Sequence, residues 1–135
     1  MVKKILFLCV ANSARSQMAE GLAKNILQKA FIINSAGSKP SEINPYAIKV
    51  MNEIGIDISN QSSKSVDEFN LNEFNYIVTL CAEEICPYIN SSKAYFLHWP
   101  FFDPANKSDS PEESINKFRN VRDEIGKKIK NFKWE

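Results

Sequence analysis

Apolar positions recur along this chain in two rhythms, one of period two or continuous, the other helical. Lys4 to Cys9 is a short, β-rich apolar run that meets polar sequence at Asn12, the pattern of a buried strand. From Ala14 to Leu27 the rhythm changes. Met18, Leu22, Ala23, Ile26 and Leu27 fall on one helical face. Phe31-Ile32-Ile33 predicts a second strand, stopped by Ser35-Ala36-Gly37. Pro45 opens a second helix with Ile48, Met51 and Ile54 inward and Gly55 just past its end. Ser65-Val66-Asp67-Glu68 has capping-box spacing and predicts a short helical turn. Tyr76–Leu80 and Lys93–Leu97 predict a third and a fourth strand. The last helix is announced by Ser110 as cap, Pro111 at the first position and Glu113 three after the cap. Ile115, Phe118, Val121, Ile125, Ile129 and Phe132 follow.

Strands alternating with helices, without hairpin signals, predict an α/β fold: a four-stranded parallel sheet flanked by helices on both faces. No repeat, low-complexity tract or linker interrupts the pattern, so residues 1–135 read as one domain, with its longest loops at 38–44 and 103–111. At 44% hydrophobic residues the chain can fill one core. A domain near this size buries roughly 68–70% of its unfolded surface and needs no staples.

Seventeen basic against 16 acidic residues leave a net charge of +1. Neither general nucleic-acid binding nor a polybasic membrane anchor fits that balance. The run Ile5–Ala11 is far short of the ~20 residues that span a bilayer. As a signal-peptide core it would end in the polar, charged Asn12-Ser13-Ala14-Arg15-Ser16. A soluble, cytoplasmic protein is the expectation. Three cysteines are too few, and odd in number, for a secreted disulfide framework. In a reducing compartment each is core filler or chemistry.

Cys9 decides between these by its position. It ends the first predicted strand, and Arg15 stands six residues on, where the first helix begins. Such a loop lies at the carboxyl edge of a parallel sheet, where ligands bind in these folds. Backbone N–H groups of Val10, Ala11, Asn12, Ser13, Ala14, Arg15 and Ser16 can ring an oxyanion there, with the helix N-terminus adding partial positive charge. Arg15 offers a planar fork suited to a tetrahedral oxyanion. The same field favours the thiolate form of Cys9. A nucleophile and an anion cradle coincide.

The stretch Cys9-Val-Ala-Asn-Ser-Ala-Arg15-Ser16-Gln-Met-Ala-Glu20-Gly21 resembles the phosphate loop shared by low-molecular-weight protein tyrosine phosphatases and thioredoxin-coupled arsenate reductases. The resemblance continues through Ser35-Ala36-Gly37, Gly55-Ile56-Asp57-Ile58-Ser59, Val78-Thr79-Leu80-Cys81, His98-Trp99, Asp103-Pro104-Ala105 and Val121-Arg122-Asp123-Glu124-Ile125. It implies a four-stranded parallel sheet flanked by helices. Gln17 after Arg15-Ser16 looks like the reductase branch, where the phosphatases carry Pro. Ala105-Asn106-Lys107 stand where the phosphatases offer tyrosines to an aromatic substrate. Cys81 and Cys86 point the same way, because a reductase needs relay thiols and a phosphatase does not.

By that resemblance Cys9 attacks arsenate held by the loop and Arg15, while Asp103 protonates the departing oxygen. Cys81 then attacks the sulfur of Cys9, and Cys86 or an external thiol resolves the bond, with thioredoxin as final reductant. No metal or organic cofactor is implied. Some relatives hold potassium behind the loop; Asn12, Glu20 and Ser35 match its ligands, but Lys64 replaces an acidic one, and its ammonium can stand in for the cation. If residues 81–86 start as a helical turn, their Cα atoms are roughly 8–9 Å apart. A disulfide tolerates about 4.4–6.8 Å, so bonding would unwind that turn.

His98, the single histidine, sits at a strand end and reads as structural. Tyr95, Phe96, Trp99, Phe101 and Phe102 read as packing, with a substrate wall as the alternative. Glu112-Glu113 and Lys127-Lys128 suit the two ends of one helix dipole. Three functions stay open at this point: an arsenate reductase, a phosphatase using the same Cys9, Arg15 and Asp103, and an oxyanion-binding module without turnover. A monomer is expected.

Overall fold

The computed structural model describes residues 2–81 and 93–134. Four strands, β1 (Lys3–Cys9), β2 (Phe31–Gly37), β3 (Tyr76–Thr79) and β4 (Tyr95–His98), form one sheet in the order β2-β1-β3-β4, each neighbouring pair parallel. Among the described residues three α-helices accompany them: α1 (Arg15–Leu27), α2 (Pro45–Asn52) and α3 (Pro111–Asn131).

From Ile5 to Cys9 β1 is apolar and buried because both of its faces are covered there. Alternate side chains point to opposite layers. Ile5 and Phe7 join Met18 and Leu22 of α1, Val50 and Met51 of α2, and Phe118, Val121 and Ile125 of α3. Leu6 and Leu8 pack with Ala36, Ile77 and Phe74 on the other side. There Val66, Phe69 and Leu71 close the layer, carried by two 3-10 turns, Val66–Glu68 and Leu71–Glu73. The first turn has the complete capping box expected at Ser65.

The α3 start is also as expected: the Ser110 hydroxyl accepts from the Glu113 amide, and the Glu113 carboxylate accepts from the Ser110 amide. Several boundaries differ from the sequence reading: β3 ends at Thr79 rather than Leu80, β4 runs Tyr95–His98 rather than Lys93–Leu97, and two further differences have a clear cause. Ser35-Ala36-Gly37 do not stop β2; they pair with Phe7, Leu8 and Cys9. The buried Ser35 hydroxyl is satisfied by Asn12 and Glu20, so a polar residue costs the strand little. α2 ends at Asn52, and Gly55 turns the chain at φ 78° so that the Ile56 amide reaches back to the Met51 carbonyl. Ile54 is thereby thrown outward, 44% exposed, and Ala47 and Val50 take the inner positions with Met51.

β1 lies between β2 and β3, so the chain leaves it in one direction toward β2 and later returns on the other side. That reversal opens a crevice at the carboxyl ends of the strands. Cys9 stands there. Leu8 pairs with Thr79, and the Leu80 amide donates to the Leu8 carbonyl at 2.9 Å, which carries the chain past Cys9 into Cys81.

Candidate active site

The β1–α1 loop is shaped by where its carbonyls go. The carbonyls of Val10, Ala11 and Ser13 accept from the amides of Lys39, Ser41 and Asn44, all in the β2–α2 loop, at 2.8–2.9 Å. The Asn12 carbonyl accepts from the Ser63 hydroxyl at 2.8 Å and the Gln17 side-chain amide at 3.0 Å. In a trans peptide the N–H points opposite to the preceding C=O. With four successive carbonyls tied outward, the amides of residues 11–14 turn toward the inside of the loop.

Helix α1 begins without a side-chain cap at Ala14. Its first amides are therefore open to an anion, on the positive end of the helix dipole. Arg15 is 4% exposed. Its Nη1 donates to the carbonyls of Phe101 at 3.1 Å and Leu80 at 3.4 Å, and its Nη2 lies 3.7 Å from Asp103 Oδ2. Cys9, Val10, Ala11, Ser13, Ala14, Arg15, Asp103 and Ala105 line a single open cleft of about 280 Å³. A tetrahedral oxyanion can be held there by amides and a guanidinium, with a sulfur nucleophile below it and a carboxyl group at its rim.

The Cys9 sulfur is 2.8 Å from the Ser16 hydroxyl. Asn12 Nδ2 donates to that same hydroxyl at 2.8 Å and to Ser35 Oγ at 3.0 Å. With Asn12 supplying one proton to Ser16, the hydroxyl's own proton is available to a thiolate at Cys9. Ser35 in turn donates to Glu20 at 2.5 Å, whose carboxylate also meets Lys24 at 2.6 Å and Lys64 at 3.8 Å. The Lys64 ammonium thus stands beside the Asn12–Ser35–Glu20 group. Among the described residues no cluster of three His, Cys, Asp or Glu side chains could hold a metal ion.

The chain matches the low molecular weight phosphotyrosine protein phosphatase family over residues 4–135. It belongs to that family. Among its relatives is an arsenate reductase of Halalkalibacterium halodurans, 48% identical over 132 residues that cover 96% of this chain and 94% of the relative. The solved structure of an arsenate reductase in the phosphate binding state superposes with a TM-score of 0.81 at 34% identity, covering 96% of this chain and 95% of that one. A thioredoxin-dependent arsenate reductase of Corynebacterium glutamicum superposes with a TM-score of 0.64 at 27% identity, covering 95% of this chain and 62% of that one.

Within this phosphatase-family frame the residues singled out in the sequence divide into groups. Cys9, Arg15 and Asp103 meet in the cleft. Asn12 and Ser16 are fully buried behind it and act on the loop and on Cys9 through their side chains. Cys81 is buried beyond the end of β3, and Cys9 is buried with a free thiol at the end of β1. Cys86, and the helical turn expected over 81–86, lie outside the described residues apart from Cys81 itself. His98 pairs through Nδ1 with the Thr79 hydroxyl at 2.7 Å, the structural role expected of it. Trp99 and Phe101 are buried in the core, while Tyr95, Phe96 and Phe102 are exposed; none of the five lines the cleft.

Sequence reasoning gave no architectural role to Gly37. A Cβ there would sit 2.4 Å from the Val10 carbonyl oxygen and 2.9 Å from the Asn12 nitrogen, so only glycine lets β2 approach the loop this closely. The support from Gln61, Ser63 and the Lys64 amide was also not legible, because it comes from a loop some fifty residues away.

Proposed function

We propose that this protein reduces arsenate to arsenite, with Cys9 as nucleophile. The observation that carries the reading is the meeting of Cys9, the uncapped α1 N-terminus and the Arg15 fork in one small cleft, with Cys81 at the next strand end. The relatives named arsenate reductases, one of them solved in a phosphate binding state, support it.

In this reading residues 1–135 act as one catalytic domain. The Cys9 thiolate attacks arsenic, and Asp103 gives its proton to the departing oxygen, which leaves as water. The Cys81 thiolate then attacks the Cys9 sulfur. The electron pair of the sulfur–arsenic bond stays on arsenic, arsenite departs, and a Cys9–Cys81 disulfide remains. Cys86 attacks Cys81 and frees Cys9, and an external dithiol supplies the two electrons that reduce the last disulfide. Thioredoxin is the proposed dithiol, in line with the thioredoxin-dependent relative. We place the protein in the cytoplasm as a monomer; among the described residues no helix is long and apolar enough to cross a membrane.

The same Cys9, Arg15 and Asp103 can hydrolyse a phosphate monoester through a phosphocysteine, as the family's name implies. Ala105 at the cleft, with no aromatic side chain among its described lining residues, leaves an aryl group without a wall and favours a small inorganic oxyanion. Arsenite production with thioredoxin, thioredoxin reductase and NADPH, measured beside hydrolysis of an aryl phosphate, tests the assignment. Arsenite should form with Cys9 intact. Aryl phosphate hydrolysis without any arsenite would replace the reductase by a phosphatase, and neither activity would reduce the site to an oxyanion-binding module.

A further inference from the structure

Gln17 is fully buried in the first turn of α1, yet its side chain turns back toward the loop rather than into the apolar core. Its Nε2 lies 3.0 Å from each of three oxygens: the Asn12 carbonyl, Asn12 Oδ1 and the Ser62 carbonyl. An amide has two N–H donors, so one is shared between the two Asn12 oxygens and the other fixes Ser62. Gln61 holds the opposite end, its Nε2 donating to Gln17 Oε1 at 2.8 Å and to the Gln17 carbonyl at 3.1 Å.

Asn12 is where this matters. It is the loop residue with φ at +49°, a left-handed conformation that costs a residue with a Cβ free energy unless its surroundings hold it. Its side chain is saturated: Oδ1 accepts from Gln17 and the Lys64 amide, while Nδ2 donates to Ser16 and Ser35. The direction of Nδ2, and with it the Ser16 proton aimed at Cys9, follows from what grips Oδ1.

We propose that Gln17, backed by Gln61, is a positioning residue: it locks Asn12 in its left-handed conformation and thereby sets the Ser16 hydroxyl on the Cys9 sulfur and the loop amides on the oxyanion. The proposal rests on the oxyanion reading given above. It differs from a general structural role in what it moves. A buried glutamine that merely satisfied itself would affect melting temperature, not anion affinity or thiol reactivity in the folded state.

The test uses Gln17→Met, which keeps length and loses the donor, and Gln17→Glu, which puts a carboxylate against three oxygens. Titration with inorganic phosphate and the rate of Cys9 alkylation by iodoacetamide at neutral pH are read on folded protein. Both should fall by about tenfold in Gln17→Met, the usual weight of one well-placed hydrogen bond, and further in Gln17→Glu. Ile33→Val, a core change in mid-β2, should lower the melting temperature and leave both readouts alone. If the Gln17 variants do not fold, Gln61→Met at the half-buried outer end carries the test and should weaken phosphate binding in the same direction. Wild-type phosphate affinity and alkylation rate in a folded Gln17→Met, or unchanged phosphate affinity in Gln61→Met, would overturn the proposal. Wild-type protein that failed to bind phosphate at all would instead remove the oxyanion reading beneath it.

Discussion

Arg15 Nη1 donates to the carbonyl oxygen of Leu80, the residue immediately before Cys81. The same nitrogen reaches Phe101, and Nη2 faces Asp103 at 3.7 Å. One guanidinium therefore joins the β1–α1 loop to the chain just past β3, which leads into Cys81, and past β4, which brings Asp103 to the cleft. Its orientation is set by backbone acceptors before any ligand arrives, which is the preorganisation an oxyanion site needs.

A lysine at this position keeps the charge but cannot span both carbonyls and an oxyanion with a planar fork. Arg15→Lys should therefore weaken phosphate and sulfate binding by more than about tenfold, on the scale of a lost charge-assisted hydrogen bond. Titrating the loop amides by NMR checks this. Unchanged affinity would show that the amides alone hold the anion.

The two buried cysteines should separate by activity. Cys9→Ser abolishes arsenate reduction and any phosphatase turnover, since both begin at its sulfur. Cys81→Ser stops reduction and leaves aryl phosphate hydrolysis in place, because Cys81 does not line the cleft. Equal loss of both activities in Cys81→Ser would remove the case for a dedicated relay thiol.

Two glycines give opposite expectations for the same substitution. At Gly37 an added methyl meets the backbone of Val10, Asn12 and Cys9 within 2.4–2.9 Å, and backbone cannot rotate aside. Gly37→Ala should cost about 1–3 kcal/mol, typical of overpacking, and should also weaken phosphate binding by displacing the loop. At Gly126, inside α3, the nearest atom is a Leu22 methyl at 3.6 Å, an ordinary contact. Gly126→Ala should raise stability by about 0.5–1 kcal/mol through helix propensity. Denaturant melts of both variants decide it; a neutral Gly37→Ala would mean that the loop is looser than its contacts imply.

What was legible in the sequence follows the range of the interactions. Local signals carried through: the Ser110 and Ser65 capping boxes, the Cys9-to-Arg15 spacing and the alternation that yields a parallel sheet. Ser35 misled, because a small polar residue reads as a breaker until Asn12 and Glu20 arrive to pair with it. Ile54 misled for a related reason, since helical spacing continues past Asn52 although the Gly55 turn ends the helix. The grip on Asn12 from Ser63 and Lys64 was invisible, being a contact between two loops that only the assembled fold brings together.

Glu53 caps the end of α2 and ties it to α3. Its carboxylate accepts from Arg119 Nε at 2.9 Å and Nη2 at 2.6 Å, and from Arg122 Nη1 at 3.0 Å. The hydrogen bond from Arg119 above all, then Arg122, hold its pKa down from 4.5 to about 2. A carboxyl whose folded value is depressed stabilises the protein fully above its ordinary value, and loses that contribution as pH falls through the folded value. Glu53→Gln should therefore lower the melting temperature at neutral pH, and the gap from wild type should narrow between pH 4.5 and about 2. Added salt should shrink the gap at neutral pH as well, because the pair is partly exposed and screened. Melting curves of both proteins across that acid window provide the check. A gap that stayed constant down to the lowest pH at which both still melt would show that Glu53 acts by packing rather than by charge.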